Sequence, residues 1–112
     1  MKLKAVFEQT DGALTACSVS GHASYTEDDP GGQILCAAVS SAMQLTCNTL
    51  TECFHADCEI KEQASAGVQN QLSLRLKTPD SVQSEILRGL LIHFQALSED
   101  FDGMMTVTVR QK

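Results

Sequence analysis

Residues 20–41 read SGHASYTEDDPGGQILCAAVSS, and the rest of the chain can be arranged around this stretch. It places His22 at the end of a predicted strand and Cys36 at the opening of an apolar helix. A polar loop rich in Gly, Asp and Pro separates them. A histidine and a cysteine arranged in this way have the spacing of a catalytic base and its nucleophile.

Cys36 is predicted to lie in or near the first turn of a helix over 34–54. Apolar residues at helical spacings predict the buried stripe of this helix: Leu35, Val39, Ala42, Met43, Leu50 and Phe54. Pro30 and the Gly31–Gly32 pair predict a loop before that helix, and the glycine pair makes the loop a candidate lid. Unpaired N–H groups and the dipole at a helix start favour a thiolate and can hold an oxyanion. A cysteine among apolar neighbours is also typical of a small buried side chain, so the residues alone leave both interpretations open.

Two short motifs carry a resemblance. GHA at 21–23 and CAAVS at 36–40, in this order around a Gly- and acid-rich loop, resemble the signature of the ribosomal-processing cysteine protease family (Prp). The likeness extends to length and to the order of strands and helices, so it covers essentially the whole chain. It implies that His22 is the base and Cys36 the nucleophile of an endopeptidase that removes the N-terminal extension of a large-subunit ribosomal protein, number twenty-seven in the usual naming. It also implies a homodimer, an apolar substrate cleft and no cofactor.

The chain departs from the family pattern just before the nucleophile. Where family members usually have Gly-x-Asp-Ile-Val-Cys, residues 31–36 read GGQILC, so Gln33 stands in the place of the aspartate. Asp28 or Asp29 in the loop can substitute for it, and the third catalytic residue stays open. One alternative is therefore a non-catalytic, ribosome-associated binding module of the same fold. A redox-active thiol protein is another, but it needs a resolving cysteine, and Cys47 is three helical turns from Cys36.

Composition limits the function classes. A chain of 112 residues is predicted to form a single domain over 1–112, and its 43% hydrophobic fraction is typical of globular proteins. The net charge is −6 and the eight Lys and Arg residues are scattered, which argues against direct nucleic-acid binding. The acidity fits a basic protein partner such as a ribosomal protein precursor.

No apolar stretch is expected to be long enough to cross a membrane, and residues 1–8 lack a signal-peptide core, so a cytoplasmic protein is predicted. The odd number of cysteines, five, predicts reduced thiols. Residues 53–58, CFHADC, contain zinc-ligand types but no CxxC pair, so we predict buried or edge thiols there and no metal.

Hydrophobic periodicity predicts the remaining elements. Alternation over residues 3–7 and Asp11–Gly12 predict a hairpin whose second strand covers 13–20. Further strands are predicted from 58 to 61 and from 71 to 77, with a turn at 64–67, and a last strand carries Met105, Val107 and Val109. A second helix begins after the N-cap Asp80, and its apolar stripe is predicted to comprise Val82, Ile86, Leu90, Phe94 and Leu97. The fold class is thus α+β, a single domain with a mixed sheet of about five strands and two main helices in the order ββαββαβ.

Overall fold

The architecture is taken from a computed structural model that describes residues 3–21, 30–63 and 71–112. The predicted turn at 64–67 lies outside these residues. The elements in chain order are β1 (Leu3–Thr10), β2 (Ala13–Ser20), α1 (Pro30–Asn48), a π-helical turn (Thr49–Cys53), β3 (Cys58–Gln63), β4 (Gln71–Leu76), α2 (Ser81–Asp100) and β5 (Met105–Gln111). This order confirms the predicted ββαββαβ arrangement.

The five strands form one sheet in the order β3-β4-β2-β1-β5. β1 and β5 pair in parallel, whereas the β1–β2, β2–β4 and β3–β4 pairs are antiparallel, so the mixed sheet is confirmed. The β1–β2 hairpin turns at Asp11 and Gly12, whose φ angles are 53° and 84°. Two successive residues in the left-handed region are what a type I′ hairpin turn requires, and Asp-Gly is a preferred pair there.

The core lies between the sheet and the two helices. On β1 the side chains of Leu3, Ala5 and Phe7 are buried, while Lys4 between them is exposed. The ring of Phe7 meets that of Phe94 on α2 edge to face, with 6.0 Å between ring centroids. The helix side of the sheet is therefore covered with apolar side chains. Its other side carries polar pairs such as Glu8 with Arg75.

α2 begins as predicted, and its buried stripe differs from the prediction mainly at the first position. The Asp80 carboxylate accepts a hydrogen bond of 2.8 Å from the Gln83 backbone N–H, which confirms the N-cap. Of the predicted stripe, Leu90 and Phe94 are buried and Ile86 and Leu97 pack partly buried against the core. Val82 is 50% exposed, and Leu87 is fully buried in addition. Ser84 also faces inwards, and its hydroxyl donates a 2.8 Å hydrogen bond to the Leu14 carbonyl of β2.

α1 is longer than predicted at its start and changes geometry at its end. It begins at Pro30, and after Asn48 the chain continues as a π-helical turn in which the Phe54 N–H donates to the Thr49 carbonyl. Phe54, predicted to be on the apolar stripe, is 51% exposed. The wider turn shifts the face that follows it, which explains why a pattern of 3.6 residues per turn fails there.

Residues 34–53 are long and apolar enough, by length and composition alone, to cross a bilayer. The expectation that no stretch meets this criterion is therefore wrong. Leu35, Val39, Met43 and Leu50 from this segment belong to the core formed with the sheet, and core helices satisfy the same criterion.

Candidate active site

A cleft of about 430 Å³ lies beneath α1 at one end of the sheet. It is lined by one face of α1 and by the ends of β1, β2, β3 and β4 that meet there. Cys36 lies on the helical wall, and Gly21, at the end of β2, lies on the wall formed by the sheet. Ile60 and Glu62 of β3 form the outer wall. The topology thus gathers residues from distant parts of the chain into one cavity.

Cys36 is 8% exposed and lies at the cleft, while its neighbour Leu35 points into the core. Ser40, Gln44 and Asn48 follow it at intervals of four residues, so the four side chains form one row along the helix. The three polar members of this row are exposed and also line the cleft. We did not predict them as site residues, although their spacing from Cys36 in the sequence carries the signal.

Cys36 lies one turn further into its helix than predicted. It is the seventh residue of α1, about 9 Å from the helix start at a rise of about 1.5 Å per residue. Unpaired N–H groups are confined to the first turn, and the dipole effect also falls off within it. The predicted assignment of first-turn N–H groups to the oxyanion at Cys36 is therefore corrected. Gly31 and Gly32 belong to the first turn of α1, so the lid predicted from them is corrected as well.

His22, Asp28 and Asp29 lie outside the described residues, as does the side chain of Gln33. The predicted base and the candidates for the third catalytic residue therefore stay predictions. The described chain reaches Gly21, immediately before His22 in the sequence. Gly21 is buried, has a φ angle of 85° and lines the same cleft as Cys36.

The remaining cysteines are poorly suited to act as nucleophiles. Burial raises the pKa of Cys17, with a smaller contribution from Cys47. Burial also raises the pKa of Cys47, assisted by Cys58, and the pKa of Cys58, assisted by Asp57. A raised pKa lowers the thiolate fraction at neutral pH. Cys53 is exposed beyond the end of α1 and does not line the cleft.

All five cysteines lie in the described part of the chain, and none forms a disulfide. Cys36 and Cys47 are eleven residues apart on α1, which corresponds to about 16 Å at about 1.5 Å per residue. A disulfide requires Cα atoms within about 7 Å, so these two cannot pair without loss of the helix.

Within residues 3–21, 30–63 and 71–112, no group of three or more Cys, His, Asp or Glu side chains could hold a metal ion. Cys53 and His55 of the CFHADC segment are exposed, and Cys58 is partly buried against the core. Cys53 is thus an exposed thiol and Cys58 a partly buried thiol at the edge of the sheet.

A family profile described as "Cysteine protease Prp" matches residues 2–106 of the chain. No curated protein matches it significantly by sequence. Among solved structures, SMU.848 from Streptococcus mutans shares 21% identity at a TM-score of 0.86, over 99% of this chain and 96% of the other. The ribosomal processing protease Prp from S. aureus with a covalently linked product peptide shares 18% identity at a TM-score of 0.78, over 96% and 99%. The structure of the same S. aureus protease with a substrate peptide shares 17% identity with this chain at a TM-score of 0.75. The match covers 96% of this chain and 99% of the other. These similarities show a common fold.

Proposed function

Because the chain belongs to the cysteine protease Prp family, we propose that it removes the N-terminal extension of large-subunit ribosomal protein number twenty-seven during ribosome assembly. The observation that carries this proposal is the cleft shared by Cys36 and Gly21. Gly21, which precedes the predicted base His22 in the sequence, and the predicted nucleophile Cys36 line the same cavity. This supports a site in which the two motifs act together.

The shape of the cleft supports a peptide substrate. Its residues on α1 run from Cys36 to Asn48, twelve positions, or about 18 Å at about 1.5 Å per residue. An extended peptide advances about 3.3 Å per residue, so roughly five residues fit along this wall. Leu3, Val19 and Leu72 make the wall formed by the sheet apolar, in keeping with the apolar substrate cleft that the family resemblance implies.

In the proposed mechanism, His22 takes the proton of the Cys36 thiol and the thiolate attacks the carbonyl carbon of the scissile peptide bond. The C–N bond breaks as His22 returns the proton to the departing amine, which leaves a thioester on Cys36. His22 then takes a proton from water, and the resulting hydroxide attacks the thioester. Cys36 leaves as a thiolate and recovers its proton, while the extension is released with a new carboxyl terminus.

The test is intact-mass spectrometry of the host's ribosomal protein precursor incubated with the protein. We expect one N-terminal truncation and no cleavage of the mature form, because the cleft must recognise the extension. If a precursor that carries an extension stays intact, the protease function is wrong and the non-catalytic binding module replaces it. A pull-down of the same precursor would then show whether binding persists without cleavage.

We also propose that the protein acts as a homodimer. An apolar groove of about 510 Å³ runs between α1 and α2, and Leu45, which lines it, is 67% exposed. Ile34 on the same face of α1 and Ile92 on α2 are 60% and 59% exposed. Large apolar side chains gathered in this way are typical of interaction surfaces.

Sedimentation measurements should therefore give about twice the 12.1 kDa mass of one chain. Leu45→Glu should shift the mass towards one chain, because it places a charge in the apolar interface. Glu52→Gln, at an exposed position that does not line the groove, serves as the control and should sediment like the parent protein. A parent protein that sediments as a single chain at micromolar concentration refutes the dimer.

The same proposal places the protein in the cytoplasm, where ribosomes assemble, with a ribosomal protein precursor as its partner and no direct contact with nucleic acid or membrane. The thiols of the five cysteines fit a reducing compartment. The net charge of −6 favours encounter with a basic ribosomal protein over encounter with phosphates.

A further inference from the structure

The outer wall of the cleft carries a carboxylate, that of Glu62. Among the described residues that line the cleft, Glu62 has the only charged side chain. It is exposed to solvent and forms no hydrogen bond or ion pair with the part of the chain that the structure describes. Its neighbours Ile60 and Leu72 in the cleft are apolar. The carboxylate is therefore available to a ligand in the cleft.

The strand register fixes the side of the sheet on which Glu62 lies. Glu62 pairs with Leu72 across β3 and β4, and Leu72 pairs with Val19 across β4 and β2. All three line the cleft, so they form one row along the wall formed by the sheet, with Glu62 at its outer end. Neighbouring strands are about 4.8 Å apart, which places Glu62 about 10 Å from Val19. Glu59 on the same strand faces the opposite side of the sheet, since it lies an odd number of residues away.

We propose that Glu62 forms a subsite for a cationic side chain, lysine or arginine, of the peptide substrate. The inference rests on the proposed protease function. Glu62 selects a positively charged residue of the substrate, whereas the other described residues that line the cleft are uncharged.

A general attraction between an acidic protein and a cationic peptide must be separated from this subsite. The net charge of −6 favours any cationic peptide, wherever its charge lies. A single carboxylate in the cleft instead favours a charge at one or two positions of the peptide. Glu59 offers a matched control, because it is a carboxylate on the same strand outside the cleft, where it pairs with Lys61 at 3.1 Å.

The experiment uses fluorescent peptides that span the cleavage junction of the host's ribosomal protein precursor. Lysine or glutamine replaces each of the positions on either side of the junction in turn. Binding is measured by fluorescence anisotropy to Cys36→Ala protein, so that cleavage does not interfere. At an ionic strength of roughly 0.01 M we expect lysine to bind about threefold more tightly than glutamine at one or two neighbouring positions.

The variants decide whether Glu62 causes this preference. Glu62→Gln should bring the ratio of the two affinities to about one, and Glu62→Lys should invert it, so that the glutamine peptide binds more tightly than the lysine peptide. Glu59→Gln should leave the ratio of the lysine and glutamine affinities as it is in the Cys36→Ala protein. A lysine preference that survives Glu62→Gln, or that is equal at all positions, overturns the inference, as does a parent protein that binds none of the peptides.

The failure of this inference can be told apart from the failure of the protease function. Cleavage of the precursor by the unmodified protein, without a position-dependent lysine preference, refutes the subsite and leaves the protease in place. A lysine preference that depends on Glu62, in a protein that does not truncate the precursor, supports the subsite as part of a peptide-binding module.

Discussion

Replacing Cys36 with alanine should lower the rate of precursor truncation by about 10⁴-fold or more, because no other described thiol can take over the attack. Burial raises the pKa of Cys17, Cys47 and Cys58, so these thiols are largely protonated at neutral pH. Cys53 lies outside the cleft. Single-turnover cleavage followed by intact-mass spectrometry measures the loss directly.

Cys53→Ala is the matched control for this variant. It removes an exposed thiol from the same chain and should truncate the precursor at the rate of the parent protein. His22→Ala tests the predicted base, and a loss comparable to that of Cys36→Ala is expected since nucleophile and base act as one unit. Truncation by Cys36→Ala at the parent rate would assign the chemistry to another residue. Circular dichroism on each variant excludes unfolding as the cause of a loss.

The elements that the sequence predicts well are those in which local and tertiary preferences agree. Asp11 and Gly12 favour a type I′ turn in isolation, and the hairpin that they close is also the centre of the sheet. Asp80 is followed at the third position by Gln83, and the cap forms at that place. Such signals predict the order of helices and strands. The observed order and the mixed five-stranded sheet confirm the predicted fold class.

The errors arise where tertiary packing decides between local alternatives. Apolar residues surround much of α2, so periodicity alone admits more than one buried stripe. The contact of Ser84 with the Leu14 carbonyl belongs to the orientation that buries Leu87 and exposes Val82. The π-helical turn at residues 49–53 depends likewise on contacts that a regular 3.6-residue period does not describe.

For the candidate site, the sequence predicts Cys36, which lines the cleft, but not the other residues that line it. Glu62 and Val19 are distant in the sequence, and only the pairing of β3, β4 and β2 brings them into one row. Strand order of this kind is not encoded in any single segment. The Ser40, Gln44 and Asn48 row, in contrast, follows from helix geometry and could have been derived from the position of Cys36.

Replacing Phe94 with alanine should lower the free energy of unfolding by about 3–5 kcal/mol, the usual cost of removing a buried aromatic ring. The ring is fully buried and meets Phe7 edge to face, so both the burial and the pair interaction are lost. Small domains are stable by about 5–15 kcal/mol, so the variant loses a large share of its stability. Urea unfolding with linear extrapolation, at several protein concentrations because of the proposed dimer, gives the difference.

Phe54→Ala is the informative comparison, because the sequence predicts both phenylalanines on apolar stripes and the structure separates them. Phe54 is 51% exposed beyond the π-helical turn, so its loss should cost less than about 1 kcal/mol. Equal losses for the two variants would mean that the end of α1 packs differently from the arrangement described. A double-mutant cycle of Phe94→Ala with Phe7→Leu should give a coupling free energy of about 1 kcal/mol between the two positions. This coupling would measure the aromatic contact that joins α2 to β1 of the sheet.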